Sequence, residues 1–576
     1  FSFFDSQGYL ANTADYGSND WLYTATLLNS DGSVAASFDE FGISRVLARY
    51  AAEGNANFDG LVYATVNHYL SVINGITVPY NTYLSEQWSP IREITDSSGA
   101  SIQVRSHTTY TYDQGLLDHS LHGLLSTTIV GLTYGFLITS IDSQVLSKTE
   151  NAYTPLDGST PTSPTSGWTL AKPTIVSNYV GLTTLVSKAT MYYNSYGQII
   201  KSQSIDPSGT VLHETNTSYY SVSSTDSRCQ NKPAWQDLPC LTQTGETIPL
   251  SSVWVSEYDA NLNATTSLEY RSGTQVRTTT SSYRADGLID WQAVSSPGAA
   301  TVLTQHTYDP TTSLETKTVL SYDGVIQSEV SKTYDSWGRE TSSTNSLGET
   351  TNTSYVASGL LGAGSVSQIV SPKTTTSYTY GGGSEYRPVV TAMTVSSPDF
   401  SYQYTGVYDQ FGRLTSQSGP NGLTQTLSFN DSGQVSSMSY GSVTSNVYTW
   451  VRSYDFYGRV FKELDPTGQT TAYLYDSSSR LISASNAVLS ESYGYDSYGD
   501  RTSRTLNNVT DTHTFNTESQ LTNSGYVYDL LGRNTYIPSF DAPNNGGAIS
   551  LSYNVLDQVS AISQGTTTTA FTYDAL

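Results

Sequence analysis

The chain has 576 residues, and its 26 lysines and arginines against 50 aspartates and glutamates give a formal net charge of −24. It therefore has no basic stripe that could neutralise nucleic-acid phosphates, and the same acidic balance disfavours an anionic membrane surface. Only 13% of the residues are charged, whereas 45 are tyrosines. Together with many serines, threonines and glycines, this composition is typical of a hydroxyl-rich β-protein with few helices.

Residues 1–180 are predicted to form a degenerate β region. The pattern allows short helices only at residues 46–52 and 67–72. The uncharged stretch 121–141 is long enough for a membrane-spanning helix. It contains serine, threonines and three glycines, however, and its β-branched character favours two buried strands. No membrane insertion is therefore expected from this chain.

The tightest histidine group is Asp118, His119 and His122. It lacks the H-E-x-x-H pattern of a helix and a third ligand, so no metal site is predicted. The sequence contains no nucleophile elbow, phosphate-binding loop or dinucleotide fingerprint. We therefore expect no catalytic residue, no cofactor-binding residue and no cofactor.

Residues 181–330 are predicted to be divergent repeats that include a cysteine loop. Cys229 and Cys240 flank a short loop with two prolines, and His213 is the nearest histidine. A short loop suits a disulfide, and few lysines with many hydroxyl side chains suit an extracellular setting. The alternative, half of a metal site, lacks nearby partners. The sequence therefore predicts a Cys229–Cys240 disulfide and an extracellular or cell-surface location.

The pattern Y-D-x-x-G-R dominates residues 331–576, which we predict to be regular repeats. Its four strict copies are Tyr334, Asp335, Gly338 and Arg339; Tyr408, Asp409, Gly412 and Arg413; Tyr454, Asp455, Gly458 and Arg459; and Tyr528, Asp529, Gly532 and Arg533. The step to the next repeat aromatic is 21 residues from Tyr454 to Tyr475 and 20 from Tyr475 to Tyr495. A fixed period near 20 predicts stacked supersecondary units. A last copy begins at Tyr573 without its glycine and arginine, as expected of a trimmed or partial chain.

Residues 454–475 show what one unit is expected to form. Asp455 and Gly458 suit a tight turn, because aspartate can bond the turn amides and glycine tolerates positive φ. An alternating strand follows, then a second turn at 465–468, then a threonine- and tyrosine-rich return strand. Each unit is thus a β-hairpin. We expect the repeat tyrosines to stack from hairpin to hairpin and the repeat arginines to cover their rings, which gives the motif residues structural roles.

The motif resembles that of the YD-repeat family, which includes Rhs proteins, the cocoon-forming subunits of Tc toxins and the teneurin ectodomain. Looser copies upstream begin at Phe38, Tyr193 and Tyr308. The resemblance implies an all-β fold in which one long antiparallel sheet of hairpins spirals into a hollow β-shell, or cocoon, continuous through all three regions.

The resemblance implies a structural function: a secreted or surface-displayed shell that encloses a cargo polypeptide, such as a toxin, or that mediates adhesion to a cell-surface protein or glycan. The alternative is a glycan-binding or glycan-cleaving surface protein. Its sugar platforms would be tryptophans and its acids would be carboxylates such as Asp286 and Asp290. The candidate platforms are Trp168, Trp235, Trp254 and Trp291.

Overall fold

Antiparallel β-strands follow one another along nearly all of the described chain. The computed structural model describes residues 2–4, 10–17, 20–29, 31, 33–53, 60–79, 82–95, 101–114, 122–134, 144–160, 162–245, 251–383, 385–442, 445–543 and 547–573. The fold is 56% strand and 6% helix, which confirms the predicted all-β class with one long antiparallel sheet. No helix in the described part of the chain combines the length and the apolar character needed to cross a bilayer.

The two α-helices of the described part of the chain lie before residue 181. The elements of this region are β1 (Ser2–Phe4), β2 (Leu10–Gly17), β3 (Asp20–Leu28), β4 (Val34–Phe38), α1 (Glu40–Glu53), β5 (Thr65–Tyr69), β6 (Val72–Ile73), β7 (Ile76–Thr77), β8 (Leu84–Trp88), β9 (Arg92–Thr95), β10 (Ser101–Tyr112), β11 (Leu125–Tyr134), β12 (Gln144–Ala152), α2 (Gly167–Leu170) and β13 (Ile175–Val180). Short 3₁₀ turns lie at Gly60–Tyr63, Ser227–Cys229, Pro233–Trp235 and Pro420–Gly422.

Two of the local predictions for this region meet different outcomes. The helix predicted at 46–52 is confirmed as part of α1. The helix predicted at 67–72 is wrong, because β5 pairs with β4 and β8 and buries Val66 between the more exposed neighbours of an alternating strand. The uncharged stretch contains the strand β11, whereas residues 121 and 135–141, like Asp118 and His119, lie outside the described residues.

The remaining strands are short and closely spaced. They are β14 (Thr184–Tyr193), β15 (Ile199–Ile205), β16 (Val211–Tyr219), β17 (Pro239–Thr244), β18 (Ser251–Tyr258), β19 (Ala264–Arg271), β20 (Thr274–Tyr283), β21 (Ile289–Ser295), β22 (Val302–Tyr308), β23 (Glu315–Tyr322), β24 (Val325–Tyr334), β25 (Glu340–Thr344), β26 (Thr350–Tyr355), β27 (Val366–Val370), β28 (Thr375–Gly382), β29 (Glu385–Ser396), β30 (Ser401–Tyr408), β31 (Leu414–Ser418), β32 (Thr424–Phe429), β33 (Val435–Ser442), β34 (Ser445–Tyr454), β35 (Val460–Leu464), β36 (Thr470–Tyr475), β37 (Leu481–Ser485), β38 (Ser490–Tyr495), β39 (Arg501–Leu506), β40 (Val509–Thr512), β41 (Val527–Tyr528), β42 (Asn534–Ile537), β43 (Ile549–Tyr553), β44 (Val559–Gln564) and β45 (Thr567–Ala570).

From β10 to β40, each strand pairs with the next one in the chain, and the described strands form sheets of 38, five and two strands. The five-stranded sheet is β41–β45. Pairing continues without a break from β13 to β14, across the first predicted boundary, and the second boundary falls inside β24, which pairs with both β23 and β25. The division into three regions stays a prediction.

A β-bulge lies at each motif tyrosine. The strand register shifts between Thr333 and Tyr334, between Val407 and Tyr408, and between Ser453 and Tyr454. Bulges re-aim a side chain and increase the local twist of the sheet. The shift recurs at the same point of each strict motif, including Tyr528.

The chain exposes far more surface than a solid protein of the same mass. Its accessible surface is 30945 Å², whereas a compact monomer of 62.4 kDa exposes about 20,000 Å². Most strand residues are neither fully buried nor fully exposed, and the buried apolar residues form several small clusters rather than one core. The chain therefore forms an extended wall and not a packed globule.

The two edges of this wall carry different turns, which we name the motif edge and the plain edge. The motif edge holds the turns that follow the repeat tyrosines, such as 455–459, and the plain edge holds the turns between them, such as 465–469. Residues that follow 408 contact residues near the beginning of the chain, such as Phe411 with Phe41. Residues 40–408 form a first winding, and the motif edge of the second winding, residues 409–573, lies against the plain edge of the first.

Candidate functional site: the repeat turn and the seam between windings

Each strict motif forms the same five-residue turn, and residues 335–339 show how it is built. Asp335 Oδ1 accepts hydrogen bonds from the backbone amides of Trp337 (2.9 Å) and Arg339 (3.0 Å). Gly338 has φ +78°, a left-handed conformation that favours glycine. The same pair of aspartate bonds recurs at Asp409, Asp455 and Asp529.

The arginine of the motif joins its own turn to the next hairpin. Arg339 Nε donates to Asp335 Oδ2 at 2.8 Å, while its guanidinium carbon lies 4.2 Å from the ring centroid of Tyr355. The same contact joins Arg413 to Phe429 (4.6 Å), Arg459 to Tyr475 (4.6 Å) and Arg533 to Tyr553 (4.8 Å). A guanidinium can bond a carboxylate along its edge while its face covers a ring, and lysine cannot do both.

The tyrosine of the motif joins its hairpin to the preceding one. Tyr454 Oη donates to the carbonyl of Val435 at 2.7 Å, and Tyr334 and Tyr408 make equivalent bonds of 2.6 and 2.8 Å. Tyr528 differs, because its hydroxyl accepts from the amide of Leu521 at 3.0 Å.

The predicted ring-on-ring ladder does not describe these contacts, because consecutive repeat tyrosines lie two strands apart. That distance is about 9.6 Å, and stacked rings lie about 4.5–7 Å apart. The hydroxyl bond and the guanidinium bridge this gap. The sequence analysis did not predict the bond from the tyrosine hydroxyl to a backbone carbonyl of the preceding hairpin. The constant step of 20 to 21 residues was the signal that could have indicated it.

The environment of the repeat shifts the pKa values of both acidic groups. The Arg339 guanidinium bonded to Asp335 lowers the pKa of that carboxyl. Burial raises the pKa of Tyr334 and Tyr408, and it raises the pKa of Tyr258 to about 12. The Tyr258 hydroxyl donates to the carbonyl of Pro239 at 2.6 Å, a bond that the ionised ring cannot make.

These tyrosines predict a loss of stability at high pH. A phenol whose folded pKa lies above its unfolded value of about 10 stabilises the fold fully below pH 10. That contribution is lost as pH rises through the folded pKa, near 12 for Tyr258. We expect the denaturation midpoint to be flat from pH 8 to pH 10 and to fall above it. Absorbance of tyrosinate should rise together with unfolding, and full tyrosine ionisation of a still folded chain at pH 10 would contradict this.

The seam between the windings is made by the variable residues of the motif turns. Phe411 packs edge-on against Phe41 of α1, with ring centroids 5.0 Å apart. Nearby, Arg45 Nη1 donates to Asp431 Oδ2 at 3.1 Å. Further along, the ring of Tyr498 lies 5.4 Å from that of His213. The constant motif residues thus build each hairpin, and the variable ones join windings.

Two apolar clusters lie on this seam. Phe456 of the second winding packs against Val104, Leu132 and Leu146, which are buried at the plain edge of the first. Val555 is 3% exposed and completes a cluster formed by buried residues of three first-winding strands. That cluster contains Val294, Val302 and Leu320.

Polar bonds flank the Val555 cluster. Asn554 Nδ2 donates to Tyr322 Oη at 3.2 Å, and Arg277 Nη2 donates to Asp557 Oδ1 at 2.6 Å. Sequence reasoning missed these seam residues. For Phe411, Phe456 and Val555, the signal was an apolar or aromatic residue at a turn position that a solvated turn would leave polar.

The predicted disulfide is present: Cys229 and Cys240 are bonded, with Cα atoms 5.7 Å apart. Both are buried in a cluster with Tyr220 and Leu241, and the rings of Trp235 and Trp254 pack against this cluster. The disulfide therefore holds a local core in a wall that otherwise has few buried residues.

Removing this disulfide is expected to destabilise the chain. For a loop of this size, the chain-entropy model gives about 3 kcal/mol. In a Cys229→Ser/Cys240→Ser double variant, the free energy of unfolding should be lower by about that amount. Denaturant unfolding followed by tryptophan fluorescence measures this change. Alkylation of the unreduced wild-type protein should find no free thiol, and two alkylated cysteines would overturn the assignment.

The structure does not gather the candidate glycan residues into one site. Trp168 is 3% exposed in the core, and Trp235 and Trp254 belong to the disulfide cluster. Asp286 lies in a turn, where Arg284 Nη2 donates to it at 2.9 Å and lowers its pKa. Asp290 is exposed on β21, next to the half-buried Trp291. Within the described ranges, no group of three or more histidines, cysteines and carboxylates is placed to hold a metal ion.

Comparison with known proteins gives one family match. Residues 315–528 match the family model described as the teneurin YD-shell. This segment contains three strict motifs and the first tyrosine of the fourth. No curated protein matches the chain.

Several solved structures are similar to the chain. A TcdB2–TccC3 crystal structure aligns with 12% identity and a TM-score of 0.45, over 97% of this chain and 30% of that chain. The Tc holotoxin pore of Photorhabdus luminescens aligns with 12% identity and a TM-score of 0.41, over 99% of this chain and 32% of that one. A further TcdB2–TccC3 structure gives 13% identity and 0.39, over 97% and 32%. The chain thus spans about a third of the length of the solved chains that it matches.

Proposed function

We propose that this YD-repeat chain, whose residues 315–528 match the teneurin YD-shell, forms the wall of a hollow extracellular shell around a polypeptide cargo. The observation that carries the proposal is the seam. A sheet whose later hairpins lie against its own opposite edge covers that edge over much of its length and surrounds a space.

The large accessible surface supports this role. A wall whose two faces are both exposed to solvent explains the accessible surface of 30945 Å² better than a solid domain does. The disulfide and the hydroxyl-rich, lysine-poor composition support a location in an oxidising compartment outside the cytosol. The cargo that we propose is a toxic polypeptide, as the resemblance to the cocoon-forming subunits of Tc toxins implies.

The glycan alternative has less support, because Trp168 is buried and Trp235 and Trp254 pack half-buried against the disulfide cluster. A structural role as a shell wall requires no catalytic activity. We expect the purified chain to release no reducing ends and no unsaturated products from a panel of polysaccharides. Activity that is lost on changing Asp290→Asn would restore the glycan-cleaving alternative.

Solution scattering tests the shell directly. A solid domain of 576 residues has a radius of gyration of about 25 Å. We expect a clearly larger radius, with a distance distribution whose maximum is shifted to long distances as in a hollow body. A radius near that of a solid domain would overturn the proposal. In the complete protein, the cargo should resist protease until the seam is opened.

A further inference from the structure

A lysine, a glutamate and an asparagine are joined by close polar contacts on two neighbouring strands of the first winding. Lys201 on β15 lies directly opposite Asn216 on β16, so the two residues are cross-strand partners. Lys201 Nζ lies 2.8 Å from Glu214 Oε2, and Asn216 Nδ2 donates to Glu214 Oε1 at 2.8 Å. One carboxylate therefore holds an amine on one oxygen and an amide on the other.

The surroundings hold this carboxylate in place and limit its contact with water. The Glu214 side chain is 7% exposed, and Gln203 Nε2 donates a third hydrogen bond to it at 2.7 Å. The buried Thr190 donates to Gln203 Oε1 at 3.0 Å and so orients that amide. On the other side, Lys201 Nζ lies 5.6 Å from the ring centroid of Tyr192. The amine and the carboxylate are thus fixed by neighbours on β14 and β15.

Two other lysine–glutamate pairs show what distinguishes this group. Lys148 Nζ lies 2.9 Å from Glu150 Oε1, and Lys317 Nζ lies 2.8 Å from Glu329 Oε1. Among the residues that the structure describes, no asparagine side chain donates to either of these carboxylates. Such pairs are ordinary ion pairs of a sheet. The asparagine amide on the same carboxylate is what adds a chemical possibility at Glu214.

We propose that the side chains of Lys201 and Asn216 react to form an amide bond between β15 and β16, with Glu214 as the catalytic residue. The reaction occurs once, within the chain, and is not turnover of a substrate. Holding two groups together in this way corresponds to effective concentrations of about 10⁵–10⁸ M. The bond lies near the disulfide, because β16 also pairs with β17, which contains Cys240. It does not depend on what the shell encloses.

The proton transfers of this reaction all pass through one carboxylate. Glu214 first takes a proton from the Lys201 ammonium, and the neutral Nζ attacks Cγ of Asn216 to form the Nζ–Cγ bond. A second proton then passes from Nζ through Glu214 to Nδ2, the Cγ–Nδ2 bond breaks and ammonia leaves. The ammonia carries away the first proton as ammonium, so Glu214 is ionised again. No oxidant, reductant or other reactant is needed.

The resting state of the group is an ion pair, which makes the reaction slow. Burial raises the pKa of Glu214, but the hydrogen bonds that it accepts outweigh burial and lower that pKa. The attacking amine therefore forms only in the minor state in which the lysine proton has moved to the carboxylate along the 2.8 Å contact. Because ammonia diffuses away, the reverse reaction is negligible, and the bond accumulates during the lifetime of the protein.

Trypsin and mass spectrometry test the proposal in the purified wild-type chain. Trypsin cleaves after unmodified lysine and arginine, so a chain without the bond gives the separate peptides 189–201 and 202–228. An amide on the Lys201 side chain blocks cleavage between them. We expect a single peptide 189–228 that is lighter than the same uncut peptide by the mass of one ammonia molecule. Its fragment ions should place the link between Lys201 and Asn216.

Variants separate catalysis from packing. Glu214→Gln keeps the size of the side chain but removes the proton carrier. General acid–base catalysis contributes about 10²–10⁴-fold, so the linked peptide should accumulate at least about a hundredfold more slowly in this variant. Asn216→Ser removes the amide and should give only the two separate peptides, also where Glu214→Gln does not fold. Lys317→Arg, which changes the lysine of an ion pair of equal length, is the matched control and should form the bond like wild type.

The proposal is overturned if the wild-type chain yields only the two separate peptides after prolonged incubation. It is also overturned if the uncut peptide keeps the mass of the ammonia, because that result is a missed cleavage and not a link. Formation of the bond in Glu214→Gln at the wild-type rate would contradict the role of Glu214 in proton transfer.

Discussion

Val555→Asp is expected to separate the two windings of the wall. The side chain is 3% exposed in a cluster of buried valines and a leucine from three strands of the first winding. A carboxylate there would have no cationic partner within the cluster, and an uncompensated buried charge costs about 3–5 kcal/mol. The free energy of the first unfolding transition in urea should therefore fall by that amount, which moves its midpoint to a lower urea concentration. Protease should also cleave near residues 294–322 sooner than in the wild-type chain.

The adjacent residue provides the control. Leu556 belongs to the same turn and is 37% exposed. Leu556→Asp adds the same charge to the same hairpin, and a surface substitution of this kind changes stability by no more than about 0.5 kcal/mol. Equal effects of the two variants would show that the turn, and not the seam, accounts for the loss.

Tyr454→Ala is expected to destabilise its hairpin and the one before it, because the ring and hydroxyl join the two. Removing a large aromatic side chain from a packed site costs about 3 kcal/mol. Tyr454→Phe keeps the ring but loses the 2.7 Å bond to the Val435 carbonyl, which is worth about 1 kcal/mol. Urea unfolding followed by far-ultraviolet circular dichroism measures both changes.

The comparison between these two variants separates packing from hydrogen bonding. If Tyr454→Phe costs as much as Tyr454→Ala, the hydroxyl carries the whole contact and the ring contributes little. If both variants unfold like wild type, the motif tyrosine does not hold consecutive hairpins together. Hydrogen exchange at the amides of β33 and β34 should locate the loss, because local opening is confined to the elements that lose their contacts.

These two predictions test different functions of one short motif. Tyrosine, aspartate, glycine and arginine recur because every hairpin needs the same turn and the same link to its neighbour. The two variable positions are free of that requirement, so they can carry side chains suited to whatever lies across the seam. A wall built this way can lengthen by adding hairpins, while the two variable residues of each turn determine how that hairpin contacts the other winding.

Local pattern was enough to predict the hairpins and the turn chemistry. The step of 20 to 21 residues, the glycine before each motif arginine and the alternating threonines and tyrosines are properties of one unit and its nearest neighbours. Such short-range features depend on backbone conformation and strand alternation, which adjacent residues determine. The disulfide was predictable for the same reason, because its cysteines are only 11 residues apart.

Only the tertiary structure decided what lies across the seam. Val555 meets Val294, and Phe456 meets Val104, over separations of hundreds of residues that no local pattern encodes. The helix predicted at 67–72 was wrong for the same physical reason: pairing with β4 and β8 outweighed local propensity. The sequence by itself determined the repeating unit, whereas contacts between hairpins hundreds of residues apart decided which edges meet.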